Sequence, residues 1–157
     1  LAHALATLRN RRFGGKVNAD RAAVLALFHD ASEILTGDLP TPVKYYNPEI
    51  KDSYKKVERL ACDQLLSLLP EDLQPEYAPL LHPEPGDEEL WMLCKAADKL
   101  SALIKCVQER STGNREFLQA EESTLEAIHA LRLPEAECFL TEFLPAYARS
   151  LDEQTKP

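Results

Sequence analysis

His29 and Asp30 stand side by side in the stretch "FHDASEILTGDLPTP", directly after the apolar run "AAVLALF". An imidazole nitrogen beside a carboxylate oxygen is a donor pair that suits Mn, Fe, Co, Ni or Zn. In apolar surroundings each group is costly unless it is hydrogen-bonded, charge-paired or bound to a metal. On a helix the two residues point about 100° apart, so a single ion reaches both only off the edge between their faces. Glu33 follows His29 by four residues and lies one turn further along the same face. A carboxylate there can move or position a proton in metal-assisted hydrolysis.

Asp98 is the other acidic residue in an apolar setting, at the centre of "LCKAADKLSALIKC" with Ala96 and Ala97 before it. The sequence predicts two buried acidic positions on two central helices, and His29, Asp30 and Asp98 together form a partial coordination set. No residue of the chain presents itself as a fourth ligand. Plainer readings exist for each: Glu33 as a helix-surface carboxylate, Asp38 as a turn residue after Gly37, and His29, Asp30 and Asp98 as a buried hydrogen-bond network. His3, His82 and His129 read as ordinary surface, loop and helix-end residues.

The elements that must hold these residues are helical. Leu1, Ala4, Leu5 and Leu8 form an apolar stripe running to a Gly14-Gly15 stop, and its uncapped start at Leu1 reads as a helix entered partway along. Asn18 is placed to cap a second helix to about Leu35, stopped by Gly37 and apolar on nearly every side. The Pro-rich "GDLPTPVKYYNP" is a rigid loop. Asn47-Pro48 opens a long helix to about Leu69, with Tyr54, Val57, Leu60, Ala61 and Leu65 in helical period. A short helix and a Pro-rich connection follow. Asp87 starts the second central helix, stopped by Gly113; Asn114 caps another to about Leu133, and a last one runs from Pro134 to about Leu151 with a break at Pro145. No alternating strand pattern occurs, so the expected class is all-α, a bundle of about six or seven helices in one domain over residues 1–157.

Composition narrows the function. At 157 residues, 45% hydrophobic and 28% charged, the chain can bury the core of one soluble domain. A net charge of −8 with scattered basic residues argues against a nucleic-acid polymer as partner. No apolar run is long enough for a membrane span, and the expected compartment is the cytoplasm. Cys62, Cys94, Cys106 and Cys138 have no paired spacing and are expected as buried free thiols.

The pattern "HD" on one helix and a distant Asp on another resembles the HD-domain superfamily of metal-dependent phosphohydrolases. The longer strings "HDASEILTGDLPTPVKYYN" and "KAADKLSALIKC" are similar to bacterial 5'-deoxynucleotidases of the YfbR type. The resemblance implies His29, Asp30 and Asp98 as three of four metal ligands for a divalent ion such as Co or Mn, with the fourth a His on a helix before Leu1. An Arg-Trp pair that orients the phosphate would also lie upstream, and the chain as given would then be poorly active. Glu33 takes the catalytic carboxylate's place, and Asp38, Leu39, Pro40 and Thr41 that of the loop around the deoxyribose. Asp30 and Asp98 would also face the substrate. The implied reaction is hydrolysis of a 2'-deoxynucleoside 5'-monophosphate to deoxynucleoside and phosphate, by a homodimer. Two other readings stay open: HD chemistry on a deoxynucleoside triphosphate, cyclic nucleotide or guanosine polyphosphate, and a non-catalytic helical scaffold.

Overall fold

A computed structural model of the chain describes residues 1–38, 48–149 and Glu153. These form seven α-helices of eight residues or more, a single-turn helix and one short 3-10 helix, with no strand among the described residues. The all-α class read from the sequence holds. No described helix is long and apolar enough to cross a membrane. The chain divides into two compact units, residues 1–23 with 89–157, and residues 24–88.

The first unit is built on α6 (Glu88–Ser111), whose Leu90, Leu93, Cys94, Ala96, Ala97, Leu100, Leu103, Ile104, Cys106 and Val107 are buried. That spacing of three and four is the broad apolar face of a central helix. A fully buried leucine such as Leu93 or Leu100 contributes about 1.5–3 kcal/mol. Helix α1 (Ala2–Arg12) packs against α8 (Pro134–Glu142). Its buried residues are Ala2, Leu5 and Ala6, one position off the expected stripe; Leu1 and Ala4 are exposed.

Between these helices lies Glu135, a carboxylate with 0% exposure. Its Oε1 is 3.1 Å from Nε of Arg9, whose Nη1 is 3.5 Å from Glu89. The chain makes room for Arg9 at Gly15, where a Cβ would come within 2.5 Å of the Arg9 side chain. Asn10 fastens the same loop, donating to the Val17 carbonyl (2.7 Å) and accepting from the Val17 amide (2.9 Å). Gly14, at φ 71°, makes the turn that ends α1.

Helix α7 (Leu118–His129) begins four residues after Asn114, which caps only the preceding turn by accepting from the Glu116 amide at 3.0 Å. The helix from Pro134 stops at Glu142 and continues as a 3-10 helix over Leu144–Ala148, the interruption expected at Pro145. Cys62, Cys94 and Cys106 are buried free thiols, whereas Cys138 is half-exposed with Arg12 Nη1 3.0 Å from its sulfur.

In the second unit, α4 (Pro48–Ser67) packs against α5 (Gln74–Leu81) and the single turn α3 (Glu33–Thr36). Ala61 and Cys62 are its buried residues; Val57 and Leu60, expected in the same stripe, are exposed. Phe28 meets Tyr77 edge-on, with ring centres 6.0 Å apart. His82 ends α5 3.0 Å from Asp63.

Candidate active site

Helix α2 (Ala19–Phe28) is capped as expected: Asn18 Oδ1 accepts the Arg21 amide at 2.9 Å. It departs from expectation in two ways. It is not apolar-packed all round, since Ala22 and Leu25 are buried but Leu27 is 80% exposed. It also stops at Phe28 instead of running to Leu35. From there the backbone turns more tightly, with three-residue hydrogen bonds from Ala31 to Phe28 (3.0 Å), Glu33 to Asp30 (2.9 Å) and Ile34 to Ala31 (3.2 Å). Asp30 and Ser32 are short polar residues of the kind that compete with the helical backbone, and they sit at the break.

The break places the His-Asp pair at a helix end, where one point can face both groups. His29 Nε2 lies 2.9 Å from Asp30 Oδ2, with the ring 29% and the carboxylate 55% exposed. This corrects the expectation of a buried pair. The other ring nitrogen, Nδ1, is 2.8 Å from the Ala26 carbonyl, three residues back. A carbonyl only accepts, so Nδ1 carries the proton and Nε2 is left with its lone pair close to the carboxylate. Nε2 is a buried atom with no hydrogen-bond partner among the described residues, despite its short distance to Asp30. A lone pair 2.9 Å from an anion is favourable only with a proton or a cation between them. A histidine held by a backbone carbonyl through one nitrogen, with the other free beside a carboxylate, is the donor set of a metal ligand. The two residues therefore fit a divalent ion. Within the 24–88 unit the described residues add no third metal-type ligand to the pair.

Glu33 is half-buried at the start of α3, three residues past Asp30, whose carbonyl accepts the Glu33 amide. Ser32, before it, is buried. Gly37 ends α3 at φ 69°, its amide bonded to the Glu33 carbonyl at 2.9 Å, as its role as stop requires. Asp38 follows and is exposed. Leu39, Pro40 and Thr41, the rest of the expected sugar loop, lie outside the described residues.

Asp98 is on α6 in the other unit, and there the expectation of burial fails: it is exposed, in a wet row with Lys95, Ser101, Ala102 and Lys105. Ala96 and Ala97 are buried because the packed face passes through them, and Asp98 is one step beyond its edge. The remaining histidines pair with carboxylates away from the motif, His3 3.6 Å from Asp20 and His129 2.7 Å from Glu137. The sequence did not disclose a cavity of about 280 Å3 in the first unit, lined by His3, Ala4, Thr7, Leu8, Phe139 and Phe143. It is apolar apart from His3 and Thr7, and offers no acid-base pair. Tyr54, read from the sequence as part of an apolar stripe, instead turns its hydroxyl to the Gly37 carbonyl at 2.9 Å. No sequence signal separates that role from packing.

Comparison with known proteins identifies the family. The profile of the family described as "5'-deoxynucleotidase YfbR-like" matches residues 1–147. A 5'-deoxynucleotidase of Vibrio vulnificus is 48% identical over 153 residues, 98% of this chain and 79% of that protein. One from Vibrio parahaemolyticus is 49% identical over the same shares, and one from Yersinia pestis is 46% identical over 98% of this chain and 78% of its own length.

Proposed function

The chain belongs to the YfbR-like 5'-deoxynucleotidase family, and on that premise we infer that it is a 5'-deoxynucleotidase, a phosphomonoester hydrolase. Its substrate class is the 2'-deoxynucleoside 5'-monophosphates, split by water into deoxynucleoside and phosphate. One observation supports the site above all others: the unpartnered Nε2 of His29 facing Asp30 Oδ2 at 2.9 Å.

His29, Asp30 and Asp98 would hold a divalent transition-metal ion, Co or Mn. Such an ion supplies Lewis acidity toward a phosphate oxygen and toward water. The chain's own residues do the rest. The Ala26 carbonyl keeps the His29 ring in the tautomer whose Nε2 can donate. Asp30 and Asp98 bring two negative charges, which offset the two positive charges of a divalent ion. Glu33, four residues past His29 at the start of α3, holds or moves a proton between the attacking water and the leaving sugar oxygen. Asp38, with Leu39, Pro40 and Thr41, borders the deoxyribose and excludes a 2'-hydroxyl; a Pro-flanked segment suits that task because a yielding wall does not discriminate. Residues 1–157 belong to a single HD domain, in a cytoplasmic enzyme that works as a homodimer.

The test is a substrate panel. Full-length protein loaded with Mn or Co is assayed for phosphate release from deoxynucleoside and ribonucleoside monophosphates, with triphosphates and cyclic nucleotides alongside. Release from the deoxynucleoside monophosphates in strong preference to the rest is expected. Preference for a triphosphate or cyclic nucleotide would transfer the chemistry to another substrate, and no release from any would end the enzymatic reading.

A further inference from the structure

We infer that Tyr54 is a positioning residue for sugar selection: its hydroxyl holds the Gly37 carbonyl and thereby sets where Asp38 stands. This rests on the reading of Asp38 as part of the boundary around the deoxyribose.

Gly37 is where the chain leaves α3, at φ 69° and ψ 164°. No atom comes within 4 Å of where its Cβ would be, so glycine is needed there for backbone conformation and not for space. A glycine hinge is also the least constrained point in a chain, and something must fix it if the next residue is to discriminate. Two hydroxyls converge on its carbonyl oxygen, Tyr54 Oη at 2.9 Å and Thr36 Oγ1 at 3.0 Å. Tyr54 Oη also lies 3.3 Å from Thr36 Oγ1, and Thr36 Oγ1 lies 3.3 Å from the Ser32 carbonyl.

Each hydroxyl has one proton to give. If Tyr54 donates to Gly37, Thr36 is free to donate to Ser32. If Tyr54 donates to Thr36, Thr36 passes its own proton to Gly37. In either arrangement the Gly37 carbonyl receives a hydrogen bond, and in either Tyr54 decides which. The Gly37 carbonyl and the Asp38 amide share one planar peptide unit, so pinning the oxygen orients the plane from which Asp38 departs. The anchor is firm because Tyr54 is half-buried on the 20-residue helix α4.

The experiment compares kcat/KM for matched deoxy and ribo monophosphates in the Mn-loaded enzyme, in wild type, Tyr54→Phe and Thr36→Val. Tyr54→Phe keeps the ring and removes the link from α4, leaving the Gly37 carbonyl only the hydroxyl of its own chain neighbour Thr36. The deoxy-to-ribo ratio is expected to fall by about fivefold, through a higher KM for the deoxy substrate and better use of the ribo one, with kcat for the deoxy substrate little changed. Thr36→Val is expected to lower the ratio less, since Tyr54 still donates to Gly37. A residue that merely supports the fold would depress both substrates together and leave the ratio alone. A wild type without sugar preference overturns the reading of Asp38, and this proposal with it. A selective wild type whose ratio survives Tyr54→Phe overturns the positioning role alone. Should Tyr54→Phe fail to fold, Tyr54→Leu is read in its place, and an unchanged ratio there overturns the role equally.

Discussion

Two carboxylates in this molecule sit about the same distance from a side-chain nitrogen, Glu135 at 3.1 Å from Arg9 Nε and Asp30 at 2.9 Å from His29 Nε2. Their surroundings are opposite. Glu135 has no exposure, and Asp30 is 55% exposed. A closed ion pair has nothing to exchange with solvent: its effect is confined to the packing of α1 on α8. An open pair with an unsatisfied lone pair can admit an ion and a substrate and release a product. Glu135 Oε1 and Oε2 lack hydrogen-bond partners among the described residues, as His29 Nε2 does, so unsatisfied atoms alone do not separate the pairs; depth of burial picks out the scaffold, and access to solvent picks out the chemistry.

Substitutions should separate the two pairs. Asp30→Asn removes a charge from the proposed metal site, and the expected loss in kcat/KM is about 10⁴-fold, with the midpoint of thermal unfolding nearly unmoved because the group is half in water. An active Asp30→Asn enzyme would erase the distinction. Glu135→Ala is expected to do the reverse. It leaves Arg9 without its buried partner and costs about 3–5 kcal/mol in denaturant unfolding, while activity per folded molecule stays at the wild-type level. Replacing both members, Arg9→Met with Glu135→Leu, should restore most of that stability; failure to do so would show that the pair contributes more than mutual compensation. Glu33→Gln is the mildest of the three, with a loss in kcat of about a hundredfold and KM little altered. Equal losses in kcat and in metal content would move Glu33 from proton handling to metal binding.

Much of the fold was legible because its punctuation is local. Asn18, Gly37, Pro48 and Pro145 act through their own hydrogen bonds or ring geometry, and the elements begin or end where they stand. The motif was legible for the same reason, as residue types at fixed spacing. What escaped depends on neighbours distant in sequence. The switch to tighter turns at His29 is a small energetic preference that periodicity does not report. Asp98 looked buried because it follows two alanines, yet the edge of a packed face falls between Ala97 and Asp98. Glu135 reads as an unremarkable acidic residue in the first turn of a helix, a favoured place for one, and nothing in "PEAECFL" announces that Arg9 will close over it.

That closure has a consequence for how the protein is made. The first unit draws on both ends of the chain, and Arg12 meets Glu142 across 130 positions. Helix α1 leaves the ribosome early and must wait, its apolar alanines and leucine uncovered, until α8 has been synthesised. The stretch from 24 to 88 is one continuous run of chain and can organise in the meantime. Folding should thus proceed from the middle outward, with the slow step the long-range return of α8 to α1.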